Sequence, residues 1–441
     1  MISTILQQPL YKRKILPEII EWLGDHRLLI LTGARQTGKT SLIYLLIQHL
    51  AKNKQHRERI FYFDLEDFEL LELCNRGVKS FITYLEQLGV QHSEKSFIFI
   101  DEIQYLDNPS NFLKILADHH RNLKIVCSGS SSLEIRRKFR DSLVGRKMVF
   151  EIPPLTFSEF LLFKQKNHLS RLRDGFTWDK LFSEKQEFEN SVSSILANEL
   201  QRLFDEFAVY GSYPAVALEN VLGKKRKILQ EIYQTYVRKD LNELFTIENL
   251  TAFNNLVRLL ALQQGNLVNF GELATHLGIS RPTVEKYIFI LENTFVTSVV
   301  PPFFINKRTE IVKMPKIYFC DSGIRNQAAR NMDSLENRVD AGALVENCVY
   351  KSLFASSAIQ EKIKFWRTKH GNEVDFVIDD QRPFGVEVKY RRIKKPRKPA
   401  GLRSFSAKYQ TSVSIIVTRD LLAVSKETTQ VFKYVPVWLL E

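Results

Sequence analysis

The eight residues Gly33-Ala34-Arg35-Gln36-Thr37-Gly38-Lys39-Thr40 constrain this chain more than any other stretch, because they complete the pattern G-x-x-x-x-G-K-[ST]. Chance supplies that pattern in roughly one chain in a hundred of this length. The surroundings fit it. Leu28-Leu29-Ile30-Leu31 is a short apolar run of the kind that forms a buried strand, and Ser41 to Ile47 carries helical periodicity. Two glycines permit a tight turn that aims successive N–H groups and a helix N-terminus at phosphate. Lys39 is placed to reach the β- and γ-phosphates, and the Thr40 hydroxyl to ligate Mg²⁺. Gly33 to Thr40, with Ser41, form the expected cradle, and a nucleoside triphosphate is the expected ligand.

Ser96-Phe97-Ile98-Phe99-Ile100-Asp101-Glu102 is an apolar run ending in two acids, as expected of a central parallel strand beside such a loop. Asp101 is expected to hold Mg²⁺ through water. Glu102 is expected to polarise the attacking water as general base, sharing the catalytic role with Lys39. An ordinary strand running into an acidic helix cap would read the same way without the upstream loop.

At 441 residues there is room for two to four domains. Hydrophobic residues at 44% and charged residues at 26% suit a soluble globular protein. No apolar run approaches a membrane span, and Met1-Ile2-Ser3-Thr4 opens no secretory segment. Cys74, Cys127, Cys320 and Cys348 are scattered without zinc spacing, so they read as small hydrophobes in a reducing, cytoplasmic setting. The net charge of +13 permits an anionic partner without identifying one.

Four regions follow. Residues 1–160 alternate strand and helix signals, with strands expected at 28–31, 60–63, 97–100, 124–127 and 147–152, which predicts a parallel sheet covered on both faces. Residues 161–250 show helical periodicity and read as a lid or linker. In 251–330, a helix, a turn at Gly278 and a second helix capped by Ser280 make a helix-turn-helix, with wing strands expected at 296–300 and 317–320. That second helix either presents Arg281, Thr283, Glu285 and Lys286 to DNA or packs as a spacer.

Residues 331–441 begin with a helix carrying Glu346, followed by two β-like runs, 373–378 and 384–389, around turn residues. Strand alternation puts Glu387 and Lys389 on one face, with Asp375 on the adjacent strand and Val374 and Phe376 directed away from it. Asp375 and Glu387, joined by Glu346 if its helix crosses the hairpin, make a hard oxygen site suited to Mg²⁺. Lys389 would orient water or stabilise charge on a scissile phosphate. The run Tyr390-Arg391-Arg392-Ile393-Lys394-Lys395-Pro396-Arg397-Lys398 puts positive charge where a phosphodiester backbone would lie. Surface salt bridges beside a solvated basic loop are the plainer reading.

Taken together, these residues resemble a prokaryotic family of AAA-related P-loop ATPases. In that family the ATPase is joined to a winged-helix region and a C-terminal, restriction-endonuclease-like domain of uncertain function. The resemblance rests on the phosphate loop, Phe99-Ile100-Asp101-Glu102-Ile103-Gln104, Ser128-Gly129-Ser130-Ser131 and Leu143-Val144-Gly145-Arg146. It extends through Pro154-Leu155-Thr156-Phe157-Ser158-Glu159-Phe160, Tyr210-Gly211-Ser212-Tyr213-Pro214, and Trp366-Arg367 with Glu373-Val374-Asp375. It implies an α/β fold built on a P-loop parallel sheet, followed by the helical region, the winged helix-turn-helix and a small α/β nuclease-like domain. It also implies ATP as the nucleotide, Ser128 or Ser130 as a polar sensor of the γ-phosphate, and Arg146 as a candidate arginine finger, in cis or from a neighbouring subunit. Asp375, Glu387 and Lys389 match the nuclease signature, with Val374 where proline often stands. The expected function is a Mg²⁺-dependent ATPase whose nucleotide state controls a DNA-binding or nuclease-like region. The alternatives are a non-cleaving binding module and an oligomerising switch.

Overall fold

The computed structural model describes residues 2–52, 57–91, 93–130, 143, 145–184, 192–240, 247–427 and 430–441, without side chains at 130, 238–240 and 311–312. The chain divides into two compact units, Met1–Pro154 with Asn293–Phe295, and Leu155–Glu292 with Val296–Glu441.

In the first unit β1 (Leu28–Gly33), β2 (Ile60–Asp64), β3 (Ser96–Asp101), β4 (Leu123–Ser130) and β5 (Lys147–Glu151) form one sheet in the order β2-β3-β4-β1-β5. Every pairing is parallel. These are the five strands expected from the apolar runs. On one face Leu29 and Leu31 pack with Leu42, Ile43 and Leu46 of α1 (Lys39–Ala51). On the other, Leu28 and Ile30 join a core with Phe81 and with Phe112 and Leu116 of α2 (Pro109–His119). A sheet covered on both faces needs continuous apolar strands, which is why these runs are so legible. Because β4 lies between β1 and β3, the loops after those strands open near one another at the carboxyl edge, where such sheets bind ligands.

The second unit begins with helices, among them α3 (Ser194–Tyr210). The helix-turn-helix is α4 (Phe270–Leu277) and α5 (Arg281–Asn293). Gly278 closes α4 in the left-handed conformation at φ 63°, and the Ser280 hydroxyl accepts the Thr283 N–H at 3.2 Å. Next come β6 (Thr297–Val300) and β7 (Lys316–Phe319), paired antiparallel from Thr297↔Phe319 to Val300↔Lys316, then α6 (Ser322–Ala329) and α7 (Ala341–Phe354).

The C-terminal sheet has six strands in the order β12-β13-β11-β10-β9-β8. They are β8 (Ile363–Arg367), β9 (Glu373–Ile378), β10 (Phe384–Lys389), β11 (Val413–Thr418), β12 (Ala423–Lys426) and β13 (Val431–Pro436), with α8 (Ala400–Tyr409) between β10 and β11. Phe157, Phe204, Leu344, Phe376 and Ile415 share one core, so the helical stretch and this sheet bury their apolar faces together.

One expectation about the hairpin is corrected. Val374 and Phe376 do not share a face: Val374 lies with Trp366 and Phe405, and Phe376 with Val386 and Ile415. The cause is a β-bulge. Between the pairs Lys364↔Val377 and Trp366↔Val374, β9 sets Asp375 and Phe376 against Phe365 alone. An inserted residue bends a strand and re-aims its side chains. Here the Asp375 carboxylate turns to accept the Val388 backbone N–H at 2.7 Å.

The run Tyr210-Gly211-Ser212-Tyr213-Pro214 is a joint between α3 and α6. Asp321 caps α6 through the Ile324 N–H at 3.0 Å and accepts from the Ser212 N–H at 2.8 Å and the Ser212 hydroxyl at 2.9 Å. Gly211, at φ 77°, stands where a Cβ would lie 2.2 Å from Asp321 Oδ1. Lys351 of α7 completes the joint, 3.5 Å from Asp321 and donating to Ser212 at 2.6 Å.

No disulfide is present among the four cysteines, and Cys74, Cys127 and Cys348 are buried as expected. Among the described residues no helix is long and apolar enough to cross a membrane.

Candidate functional site

β1 delivers the chain into the phosphate loop at Gly33. A Cβ there would stand 2.3 Å from the Ile152 carbonyl oxygen, so the close approach of the β5 end requires glycine. Gly38, at φ 95°, turns the loop into α1. The first backbone bond within α1 runs from the Leu42 N–H to the Gly38 oxygen at 3.0 Å, leaving the N–H groups of Lys39, Thr40 and Ser41 without intrahelical partners. Lys39 is buried, and its ammonium donates to the carbonyls of Gly33 at 3.1 Å and Ala34 at 2.9 Å. Burial pushes its pKa down, against the opposing pull of Glu102 and Asp101. A loop whose lysine folds back on its own carbonyls, beneath a helix N-terminus, fits an anionic polyphosphate that would take over those donors.

The acids lie beside it. Asp101 is buried at the end of β3. It accepts from Tyr62 at 3.1 Å and from the Ser128 hydroxyl of β4. Burial, with Asp101 next, holds the Tyr62 phenol far above its usual range, so it stays a donor. Glu102 adopts the left-handed conformation at φ 54°, a strain of about 1–3 kcal/mol in a non-glycine residue that tends to collect at functional sites. Gln104 donates to its carboxylate. Glu66 adds to this acidic edge, its pKa raised by burial and then by Asp64, Glu102 and Asp101. Ser130 stands opposite Gly33 in register, but its side chain, Ser131 and Val144 lie outside the described residues.

The second constellation is the acidic cluster of the C-terminal sheet. Lys389 pairs with Glu387 Oε1, while Glu387 Oε2 is buried without a hydrogen-bond partner. Burial, with Asp375 next, pushes Glu387 up to about 8 and Glu346 up to about 7. Asp375 is raised by burial against the pull of Lys316 and Lys389. Asp375 and Glu387, with an acceptor oxygen unfilled, fit a divalent cation in their donor chemistry. Glu346 does not complete a metal set with them: its Oε1 accepts from Tyr318 at 2.6 Å and Lys316 at 3.3 Å. Among the described residues no group of three or more His, Cys, Asp or Glu side chains is arranged to hold a metal ion.

A family model described as an AAA domain matches residues 25–161, which spans the β1 loop, Asp101 and Glu102. Residues 25–161 are thus similar to an AAA-type P-loop domain. Two domains of unknown function, DUF8612 and DUF4143, match residues 201–335 and 341–440. An uncharacterized protein of Methanocaldococcus jannaschii is 26% identical over 385 residues, covering 86% of this chain and 78% of that one. Another, of Haemophilus influenzae, is 24% identical over 338 residues, covering 74% and 77%. A Walker-type ATPase of Pyrococcus abyssi superposes with a TM-score of 0.45 at 14% identity, over 74% of this chain and 99% of that one.

Within this AAA-related unit, Arg146 stands apart from the nucleotide site. Its carbonyl accepts the Leu28 N–H at 2.8 Å, which fixes it at the amino edge of the sheet. Gly33 lies at the opposite end of β1, ~16 Å away at the usual rise of a strand. Arg146 pairs with Asp118 of α2 instead, so an in-cis finger is excluded by geometry. The cations of α5 are also engaged: Arg281 with Glu285 at 2.9 Å and Lys286 with Glu248 at 3.8 Å.

Sequence reasoning missed Arg13. It is buried, donating to the Thr37 carbonyl of the phosphate loop at 2.7 Å and to the Pro153 carbonyl at 2.8 Å. Nothing in local sequence marks it, because its partners lie 24 and 140 residues away. The bond anchors the Thr37 carbonyl and with it the backbone of the loop. Arg13→Ala should therefore raise KM for ATP roughly tenfold or more while kcat falls less, since charge-assisted bonds of this kind carry about 1.5–3 kcal/mol. Steady-state kinetics on the folded variant, with Arg13→Lys as partial rescue, checks it.

Proposed function

We propose that this chain is a Mg²⁺-dependent ATPase whose nucleotide state controls a C-terminal, nuclease-like region that binds nucleic acid through its backbone. The observation that carries the first half is the buried pair Lys39 and Asp101 beside a strained Glu102 at one sheet edge. Mg²⁺, when bound with ATP, would be held by Thr40 and, through water, Asp101, and supplies charge neutralisation on the β- and γ-phosphates. Lys39 exchanges its carbonyl partners for phosphate oxygens. Glu102 takes a proton from the attacking water, and Ser128, already on Asp101, senses the γ-phosphate.

For the second half, support comes from Asp375, Glu387 and Lys389 at the end of β10, followed by exposed Arg391, Arg392, Lys394, Lys395 and Arg397 in a stretch without regular structure. Asp375 and Glu387 would hold a divalent cation there, and Lys389 would stabilise phosphate charge. The paired cations of α5 favour a second reading in one respect: the helix-turn-helix serves as a spacer, within a binding module or oligomerising switch.

Neutralising Arg391, Arg392, Lys394 and Lys395 together should weaken duplex DNA binding regardless of sequence. It should also flatten the salt dependence by a slope of up to about four. The assay is a salt titration of the full chain with ATP, with ADP and without nucleotide. Binding that ignores salt and nucleotide alike would remove this half of the proposal.

A further inference from the structure

We propose that Lys316 is a built-in counter-ion of the acidic site, an internal ammonium that competes with a divalent cation for the Glu346 carboxylate. The inference rests on the reading of Asp375 and Glu387 as metal-holding residues, and it adds a residue that keeps the site closed to metal. Lys316 is 1% exposed. Its ammonium lies 2.6 Å from Glu373 and 3.3 Å from Glu346, and over the Phe365 ring at 5.4 Å. Burial disfavours its charge, but Glu346, Asp375 and Glu373 outweigh that and hold it protonated. A lysine is almost never this buried without such partners.

Its place is fixed by backbone. Lys316 begins β7, pairs with Val300 and bridges to Leu267, while the Val268 N–H donates to the preceding Pro315 carbonyl at 2.8 Å. The lysine therefore enters the cluster from the β6–β7 pair, and not from the six-stranded sheet that carries Glu373, Asp375 and Glu387. Gly265, at φ 77°, brings backbone against Glu346 from the other direction, its Cβ position 3.3 Å from both carboxylate oxygens. Glu346 is thus held between Gly265, Lys316 and Tyr318, and turned to serve the lysine.

Charge arithmetic says what the lysine replaces. In the fully ionised form that a metal would bind, Glu346, Glu373, Asp375 and Glu387 bring four negative charges, and Lys316, Lys389 and Arg367, paired with Glu373, bring three positive, leaving −1. Without Lys316 the balance is −2, the charge a divalent cation cancels. The unpartnered, buried Glu387 Oε2 is an independent sign that the cluster has acceptor capacity left over. Magnesium and manganese require several oxygen ligands in near-octahedral array, so a carboxylate committed to an ammonium is lost to them. The chain as it stands then binds such an ion weakly, and displacing Lys316 is what opens the site.

The test is calorimetric titration of Mn²⁺ into the nucleotide-free full chain carrying Asp101→Asn, which silences the other metal position. Lys316→Ala, and Lys316→Met to preserve the stem over Phe365, should bind Mn²⁺ at least tenfold more tightly than the Lys316 parent. Adding Glu346→Gln should remove the gain, and Lys316→Arg should keep the parent's weak affinity. Should the lysine variants unfold without metal, the same order is expected in the Mn²⁺-dependent rise of their melting temperatures. Equal affinity in parent and variants would overturn the counter-ion assignment while leaving the acidic site as a metal site. No Mn²⁺ binding in any of them would overturn both.

Discussion

A Lys39→Ala chain should lose ATP turnover by a factor of at least about a hundred, the usual consequence of deleting one donor that faces developing charge. Its affinity for ATP should fall as well. Lys39 is the one side chain of the loop that is both charged and buried, held to the Gly33 and Ala34 carbonyls at the base of the cradle. Alanine leaves those carbonyls without their donor and the phosphates without a cation. Nucleotide titration and phosphate release on the variant check the two effects separately. Near-normal turnover would mean that Lys39 does not face the transferred phosphate.

The second large effect is on stability. Asp321→Ala removes the acceptor of the Ser212 N–H, the Ser212 hydroxyl and the Ile324 N–H at once. It also strips the largely covered Lys351 ammonium, 3.5 Å away, of its anion. Breaking one side of a buried pair costs about 3–5 kcal/mol, because the remaining charge is stranded away from water. Urea unfolding of the full chain should show the second unit melting early, with the AAA-related unit little changed. A loss below about 1 kcal/mol would mean that the α3–α6 joint is held by packing around Gly211 and Gly323 and owes little to this carboxylate.

How much of this was legible in sequence follows from distance along the chain. The five strands of the first unit lie inside continuous apolar runs, and the phosphate loop is local, so both could be read directly. The C-terminal sheet was half hidden. β9 and β10 announce themselves as a hairpin, but β13 carries the fully buried Lys433, whose ammonium finds the Ser183 carbonyl at 2.6 Å, and a lysine mid-strand defeats the alternation rule. The bulge at Asp375 was equally invisible, since it depends on what β8 offers opposite. Glu346 was placed near the right neighbours, but the cation that holds it could not be foreseen. Its governing partner, Lys316, lies 30 residues away on a strand whose own pattern says nothing about carboxylates. Arg146 shows the reverse case, a residue adjacent in sequence to the nucleotide strands yet at the far edge of their sheet.

We propose Lys39, Asp101 and Glu102 as a working Mg²⁺-dependent ATP-hydrolysing site. Its most direct test follows the γ-phosphate of ATP on the full chain, with Mg²⁺ and with the metal chelated, in wild type and Glu102→Gln. Wild type should release phosphate steadily only with Mg²⁺. Glu102→Gln should retain bound, uncleaved ATP, with turnover lower by roughly two to four orders of magnitude, because the amide keeps the shape of the carboxylate but accepts no proton. Phosphate release at the wild-type rate from Glu102→Gln, or release indifferent to Mg²⁺, would contradict it.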